Sequence, residues 1–207
     1  EKDPAAIYRQ SFATIEAEAG LERLPPALRP VARRMIHACG MVDLTDDIAW
    51  GGEPVAAARA AIAGGARLLV DARMVAAGII ATRFPQTEIV CVIGEDETAD
   101  TARRLGTTRS AAAVELWRPH LAGSVVAIGN APTALFHLLD LIEGGGPRPA
   151  AIFAFPVGFV GAAESKQELI DAALGIPYLT LRGRRGGSAI AAAAINALAD
   201  DMGASTA

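Results

Sequence analysis

Three histidines carry most of the acid–base capacity of this 207-residue chain. His37 stands in Arg33-Arg34-Met35-Ile36-His37-Ala38-Cys39-Gly40, where a proton carrier follows two guanidinium groups. On a helix, Leu28, Val31, Met35 and Cys39 form an apolar side. A turn of about 100° per residue puts His37 on the other side, over Arg33 and Arg34. Positive charge beside an imidazole favours the neutral ring, which accepts and returns a proton near neutral pH. The same residues also fit a solvated basic helix face with an incidental histidine, and spacing alone leaves both readings open. His137, among Leu138, Leu139 and Leu141, reads as a boundary residue, and His120 follows Pro119 in a turn. Neither is assigned a role.

Several other chemistries fail on spacing. His37 and Cys39 are two residues apart and point to different helix faces, so they cannot form a catalytic pair. No Gly-x-Ser-x-Gly elbow occurs, and three scattered histidines offer no metal-ligand pair. Cys39 and Cys91 form no C-x-x-C and read as buried thiols in a reducing compartment.

Three glycine-rich segments are better candidates for ligand contact: Gly129 to Thr133, Pro156 to Lys166, and Arg182-Gly183-Arg184-Arg185-Gly186-Gly187-Ser188. Each places N–H groups, hydroxyls or cations at a helix start, which suits anionic groups. None is a P-loop or a Gly-x-Gly-x-x-Gly fingerprint. With Arg109 and Arg33-Arg34 they outline a site for a ligand bearing several carboxylates. Arg184 and Arg185 either pair with such carboxylates or face solvent.

These residues need a scaffold. Asp3-Pro4 as cap and first turn, with Gly20 as stop, predicts a helix over 4–19. Its apolar stripe of Ile7, Tyr8, Phe12 and Ile15 includes one hydroxyl, Ser11. A second helix starts at Pro26 or Pro30 and stops at Gly40. Continuously apolar runs at 67–70, 88–93, 124–128, 151–155 and 178–181 read as strands covered on both faces. Helices are expected near 54–63, 72–78, 97–117, 131–143, 162–174 and 188–202. Alternating strand and helix argues for one α/β domain over 1–207, with a parallel sheet and functional loops at the strands' carboxyl ends. Only the last residues, Gly203 to Ala207, read as a tail.

Composition limits the partners. The formal net charge is −4, so no basic field draws the chain to nucleic acid or an anionic membrane. No apolar run is long enough to span a bilayer, and Glu1-Lys2-Asp3-Pro4 lacks signal-peptide features. The expectation is a soluble cytoplasmic protein.

The ordered set of motifs resembles the precorrin-8X and cobalt-precorrin-8 methylmutase family. It comprises Ile7 to Phe12, Met35 to Gly40, Asp71 to Val75, Thr108 to Ala112, Ile128 to Phe136, Pro156 to Lys166 and Arg182 to Ser188. The resemblance implies a flavodoxin-like three-layer α/β/α fold with a five-stranded parallel sheet, and a homodimer with interfacial active sites. It implies an isomerase of cobalamin synthesis that moves a methyl group from C11 to C12 of precorrin-8X, giving hydrogenobyrinic acid, without an external cofactor or a metal. The substrate's many acetate and propionate groups would account for local basic clusters on an acidic chain. His37 corresponds to the family's proton donor and acceptor, and Ser11 and Arg109 to ligand-contact positions. Arg34, Ser165 and Lys166 are further candidate contacts. The product would pass to neighbouring enzymes of the corrin pathway. A carrier that only binds the tetrapyrrole, a cobalt-containing substrate, and a generic nucleotide-binding domain are the competing readings.

Overall fold

The computed structural model of the protein describes residues 2–199. The Asp3 carboxylate accepts from the N–H groups of Ala5 and Ala6 and opens α1 (Pro4–Glu18). Pro4 suits the first turn, where its missing N–H would have had no helical partner. A 3-10 turn over Pro26–Leu28 leads into α2 (Arg29–Cys39), and Gly40 ends it at φ 72. That left-handed backbone is easiest for glycine. The chain continues through β1 (Ile48–Gly51), α3 (Pro54–Ala63), β2 (Leu68–Val70), α4 (Arg73–Gly78) and β3 (Ile89–Val90). Then come α5 (Asp96–Leu105), α6 (Arg109–Trp117), β4 (Val125–Ile128) and α7 (Pro132–Glu143). β5 (Ala151–Ala154), α8 (Ala162–Asp171), β6 (Tyr178–Leu181) and α9 (Ser188–Leu198) follow. The part of the expected last helix beyond Ala199, and the expected tail, lie outside the described residues.

The sheet runs β1-β6-β5-β4-β2-β3. All five expected strands are present and pair in parallel. Taken by their own order in the chain they run 2-1-3-4-5, the flavodoxin-like order. The sheet nevertheless has six strands, which corrects the five-stranded expectation. β1 adds antiparallel to β6, with Gly51 opposite Tyr178. A Cβ on Gly51 would sit 2.4 Å from the Tyr178 ring, so the glycine admits that ring across the edge pair.

The expected single helix over 97–117 is instead two. Gly106 turns the backbone to φ 62 after α5, and the Thr108 hydroxyl accepts from Ala111 N–H to start α6. The break sets Arg109 at the head of a new helix. The expected strand at 88–93 contracts to Ile89–Val90.

Alternation along each strand feeds two cores. Leu68, Val70, Ala127 and Phe153 pack under α1, α2, α3, α4 and α9. Leu69, Val126, Ile128, Ile152 and Ala154 pack under α6, α7 and α8. This explains why the strand runs are apolar throughout rather than alternating.

β2 and β4 are neighbours where the strand order reverses, and Asp71 occupies the crevice at their carboxyl ends. It is 1% exposed, and its carboxylate accepts from the N–H groups of Gly129 (2.8 Å), Asn130 (2.9 Å) and Ala131 (2.8 Å). Burial pushes this carboxyl up, and the three N–H bonds oppose that push. Asp71→Asn would turn an amide NH2 against these donors. The expected loss of unfolding free energy is about 2–4 kcal/mol, read as a lower urea midpoint with unchanged slope. A midpoint equal to wild type would show that the carboxylate does not hold the loop.

Candidate active site

The loops after β2, β4, β5 and β6 share one edge of the sheet, and the segment after α2 is bound into it. Arg182 N–H donates to Asp47 O at 2.7 Å, and the Arg185 guanidinium bonds both Asp43 and Asp47. His37, in the last turn of α2, is exposed beside this edge.

α1 packs beside the face of α2 that carries His37, while the imidazole stays exposed. Tyr8, Ser11 and Phe12, spaced three and four residues apart, converge on the imidazole. Ser11 Oγ lies 2.9 Å from His37 Nδ1. The Tyr8 and Phe12 rings meet the imidazole edge-on, at centroid distances of 5.5 and 5.3 Å. Along the α1 stripe the burial is uneven. Ile15 is its buried member, whereas Ile7 is 49% and Tyr8 38% exposed. Arg33 is drawn away as well. It lies over the Phe12 ring at 4.5 Å and pairs with Glu16, so its charge is already answered within the helix pair.

A hydrogen bond at Nδ1 gives the ring a defined direction. When Nδ1–H donates to Ser11, Nε2 is the position that gives a proton as imidazolium and takes it back as neutral imidazole. The pair can therefore perform reversible proton transfer without a change of tautomer. Tyr8 and Phe12 went unassigned in the sequence. Their spacing with Ser11 was the available signal, but it pointed equally to a core.

The remaining candidates separate. Arg109 is exposed at the head of α6, and Thr108 ties that helix start to α7 through a 2.9 Å hydroxyl bond to Thr133. It lies in the helical layer opposite His37, and one copy of the chain does not join the two. Arg34 is half-buried on α2. Ser165 and Lys166 are fully buried on α8. The Ser165 hydroxyl donates to Ala162 O at 3.3 Å, and Lys166 Nζ donates to Arg185 O at 2.5 Å. Both act inside the protein, where Lys166 supports the basic loop from beneath.

His120 bonds Arg67 at 2.7 Å, and His137 bonds Glu115 at 2.7 Å within a pair that includes Arg118. Cys39 and Cys91 are half-buried, and burial pushes both thiols up, away from the reactive thiolate. Among the described residues no group of three His, Cys, Asp or Glu side chains is arranged to hold a metal. A hollow in the groove between α1 and α2 is lined by Glu16, Leu21, Arg29 and Arg33. Another of about 340 Å³ is lined by Gly51, Leu169, Ile176 and Tyr178, with no acid–base pair in it. His37 itself is exposed, so the pair is on an open face.

The chain is matched over nearly its whole length by known proteins. The family model described as precorrin-8X methylmutase matches residues 6–201. The chain belongs to this family. It is 57% identical over 201 residues to the precorrin-8X methylmutase of Pseudomonas aeruginosa, covering 97% of both chains. It is 36% identical to the cobalt-precorrin-8 methylmutase of Priestia megaterium, over 94% of this chain and 87% of that protein. The solved precorrin-8X methyl mutase of Thermus thermophilus superposes with a TM-score of 0.84 at 38% identity, over 96% of this chain and 99% of that one. Membership in the methylmutase family makes the protein an isomerase of cobalamin biosynthesis.

The buried lysine yields a sign that can be measured. Burial lowers the Lys166 ammonium from 10.5 to about 8, against the pull of the Asp47 charge. The folded chain thus releases this proton before the unfolded chain does. The cost of the buried charge, roughly 3 kcal/mol, is fully present below the folded value and is relieved as pH rises to the unfolded one. Urea denaturation between pH 7 and 10 should show a stability gain in wild type that Lys166→Met lacks. Parallel curves would mean that the ammonium is hydrated.

Proposed function

We propose that the protein moves the methyl group of precorrin-8X from C11 to C12, giving hydrogenobyrinic acid, with His37 as proton donor and acceptor. The observation that carries this reading is the Ser11–His37 hydrogen bond on an exposed face beside a basic loop. A carrier needs cations for the substrate's acetate and propionate groups, but it does not need an oriented imidazole. The imidazolium Nε2–H protonates the macrocycle, the methyl migrates, and Nε2 recovers the proton as conjugation is restored. The enzyme's contribution is to hold the conformer and protonation state from which migration is the easy step. Ser11 keeps Nδ1 occupied throughout, and Arg109 and Arg34 contribute charge to the substrate's carboxylates. No external cofactor enters the scheme.

The metal-free substrate is favoured by the relatives. Those at 57% and 51% identity are named precorrin-8X methylmutase, and the one at 36% is named cobalt-precorrin-8 methylmutase. A nucleotide is disfavoured because the crevice that would take a phosphate already holds the Asp71 carboxylate. We infer a homodimer in which a second copy covers the open face. Met74, Phe159 and Val160 are 73%, 85% and 88% exposed on the loops and helix starts of the same edge, as a surface awaiting cover would be. Among the described residues no helix is long and apolar enough to cross a membrane. We place the enzyme in the cytoplasm, where its product passes to later enzymes of the corrin pathway.

Incubation with precorrin-8X should convert its spectrum to that of the conjugated product at unchanged mass. His37→Ala should lower kcat by about a thousandfold or more while product binding persists. Normal turnover in that variant would sink the mechanism, and binding without conversion by wild type would favour the carrier or the cobalt form. Ser11→Ala should lower kcat about tenfold, with Ser11→Thr restoring part of it. An unchanged kcat in Ser11→Ala would remove the hydroxyl from the scheme.

A further inference from the structure

We propose that the two consecutive arginines of the β6–α9 loop divide their work. Arg185 is a positioning residue that ties the loop to the end of the His37 helix, and Arg184 is the cation that contacts substrate carboxylate. The proposal rests on the polycarboxylate substrate of the preceding reading.

Arg185 turns inward. Its Nε donates to Asp47 at 2.8 Å and its Nη1 to Asp43 at 2.9 Å, while Nη2 also meets Asp47. Two carboxylates thus engage all three guanidinium nitrogens, so the charge of Arg185 is already answered within the fold. The Arg185 carbonyl is held from the other side by the fully buried Lys166 ammonium. Arg182 N–H on Asp47 O adds a third tie. Both acids follow His37 closely in the chain, beyond the Gly40 stop, so the clasp joins the basic loop to the catalytic helix. Gly186 completes the fit, because a Cβ there would lie 2.3 Å from Phe155 O.

Arg184 turns the other way. It is exposed, its guanidinium lies 5.5 Å from the Phe159 ring, and among the described residues no carboxylate pairs with it. Phe159 is itself 85% exposed. An unpaired guanidinium held against an open aromatic ring offers a planar fork to an incoming carboxylate.

The test compares Arg184→Gln, Arg185→Gln and Asp43→Asn/Asp47→Asn by steady-state turnover of precorrin-8X, equilibrium binding of hydrogenobyrinic acid, and thermal melting. Arg184→Gln should raise KM and product Kd about tenfold, keep kcat within about twofold, and weaken the salt dependence of KM. Arg185→Gln should lower kcat about tenfold, and adding it to the Asp43→Asn/Asp47→Asn pair should cost nothing further, because the three groups act as one unit. Wild-type KM in Arg184→Gln, or a rise in KM alone in Arg185→Gln, overturns the assignment. If Arg185→Gln does not fold, Asp43→Asn severs the more exposed arm. A fall in kcat there supports the clasp, and an unchanged kcat overturns it. Absence of turnover by wild type would count against precorrin-8X as the substrate instead. The contrast in product Kd between the two arginine variants would then still decide their division.

Discussion

A carboxylate withdrawn from water sits where β2 and β4 part, and the geometry of the working edge depends on it. An unpaired ionised group in such a place would cost far more than a fold can spare. Asp71 is tolerable because three consecutive N–H groups converge on its two oxygens. The bond set fixes the start of α7 relative to β2. It also fixes Gly129 at a point where a Cβ would lie within 2.9 Å of Val75, Ser188 and Ala191. Two strands, α4 and α9 are thereby held in one register at the crevice that open α/β sheets commonly give to an anionic ligand. Here the anion is the protein's own. The Ser11–His37 pair lies to the side of this crevice, in the last turn of α2.

His37 is on α2, but its hydroxyl partner Ser11 belongs to α1, a helix with little buried surface. α1 has Ile15 as its buried residue, so little area burial holds it in place. What it does have is the cluster around His37: a hydroxyl bond worth about 1 kcal/mol and two edge-on ring contacts worth about 0.5–1.5 kcal/mol each. The contacts that aim the imidazole are therefore among those that seat the helix. Orientation of the His37 ring and docking of α1 are one equilibrium, and whatever covers the exposed Ile7 and Tyr8 strengthens both.

The five parallel strands were legible because each is an apolar run bounded by turn residues and followed by a helix. β1 was not, since Ile48 to Gly51 is short and half-exposed, and it exists as a strand only against β6. Gly106 and the Thr107-Thr108-Arg109-Ser110 start were signals of a helix break, outweighed by continuous helix-forming residues on either side. At the site, Ser11 stood out as a hydroxyl in an apolar stripe; Tyr8, Ser11 and Phe12 meet His37, while Ile15 enters the core. Lys166 was read as a ligand contact because it is charged. Its place in the series Ala162, Ser165, Lys166 and Leu169 marks the buried face of α8. The Asp43, Asp47 and Arg185 clasp was illegible for a simpler reason: its members are 138 and 142 residues apart in the chain.

The distribution of charge then acquires a direction. With a net charge of −4, the chain as a whole repels a polyanion, although salt screens that repulsion beyond roughly 8 Å. Most of the arginines whose partners can be traced are answered internally: Arg23 by Asp46, Arg33 by Glu16, Arg67 by Glu88, Arg118 by Glu115 and Arg185 by Asp43 and Asp47. Arg109 and Arg184 have no carboxylate partner among the described residues, and both lie on the edge that carries His37. An exposed ion pair contributes only about 0–1 kcal/mol, so leaving a guanidinium unpaired forfeits little stability. It retains a bidentate donor whose full strength is realised only when a ligand carboxylate arrives and water is excluded. In an acidic protein, a guanidinium left without a carboxylate therefore remains available to an anionic ligand, and the paired ones hold the framework.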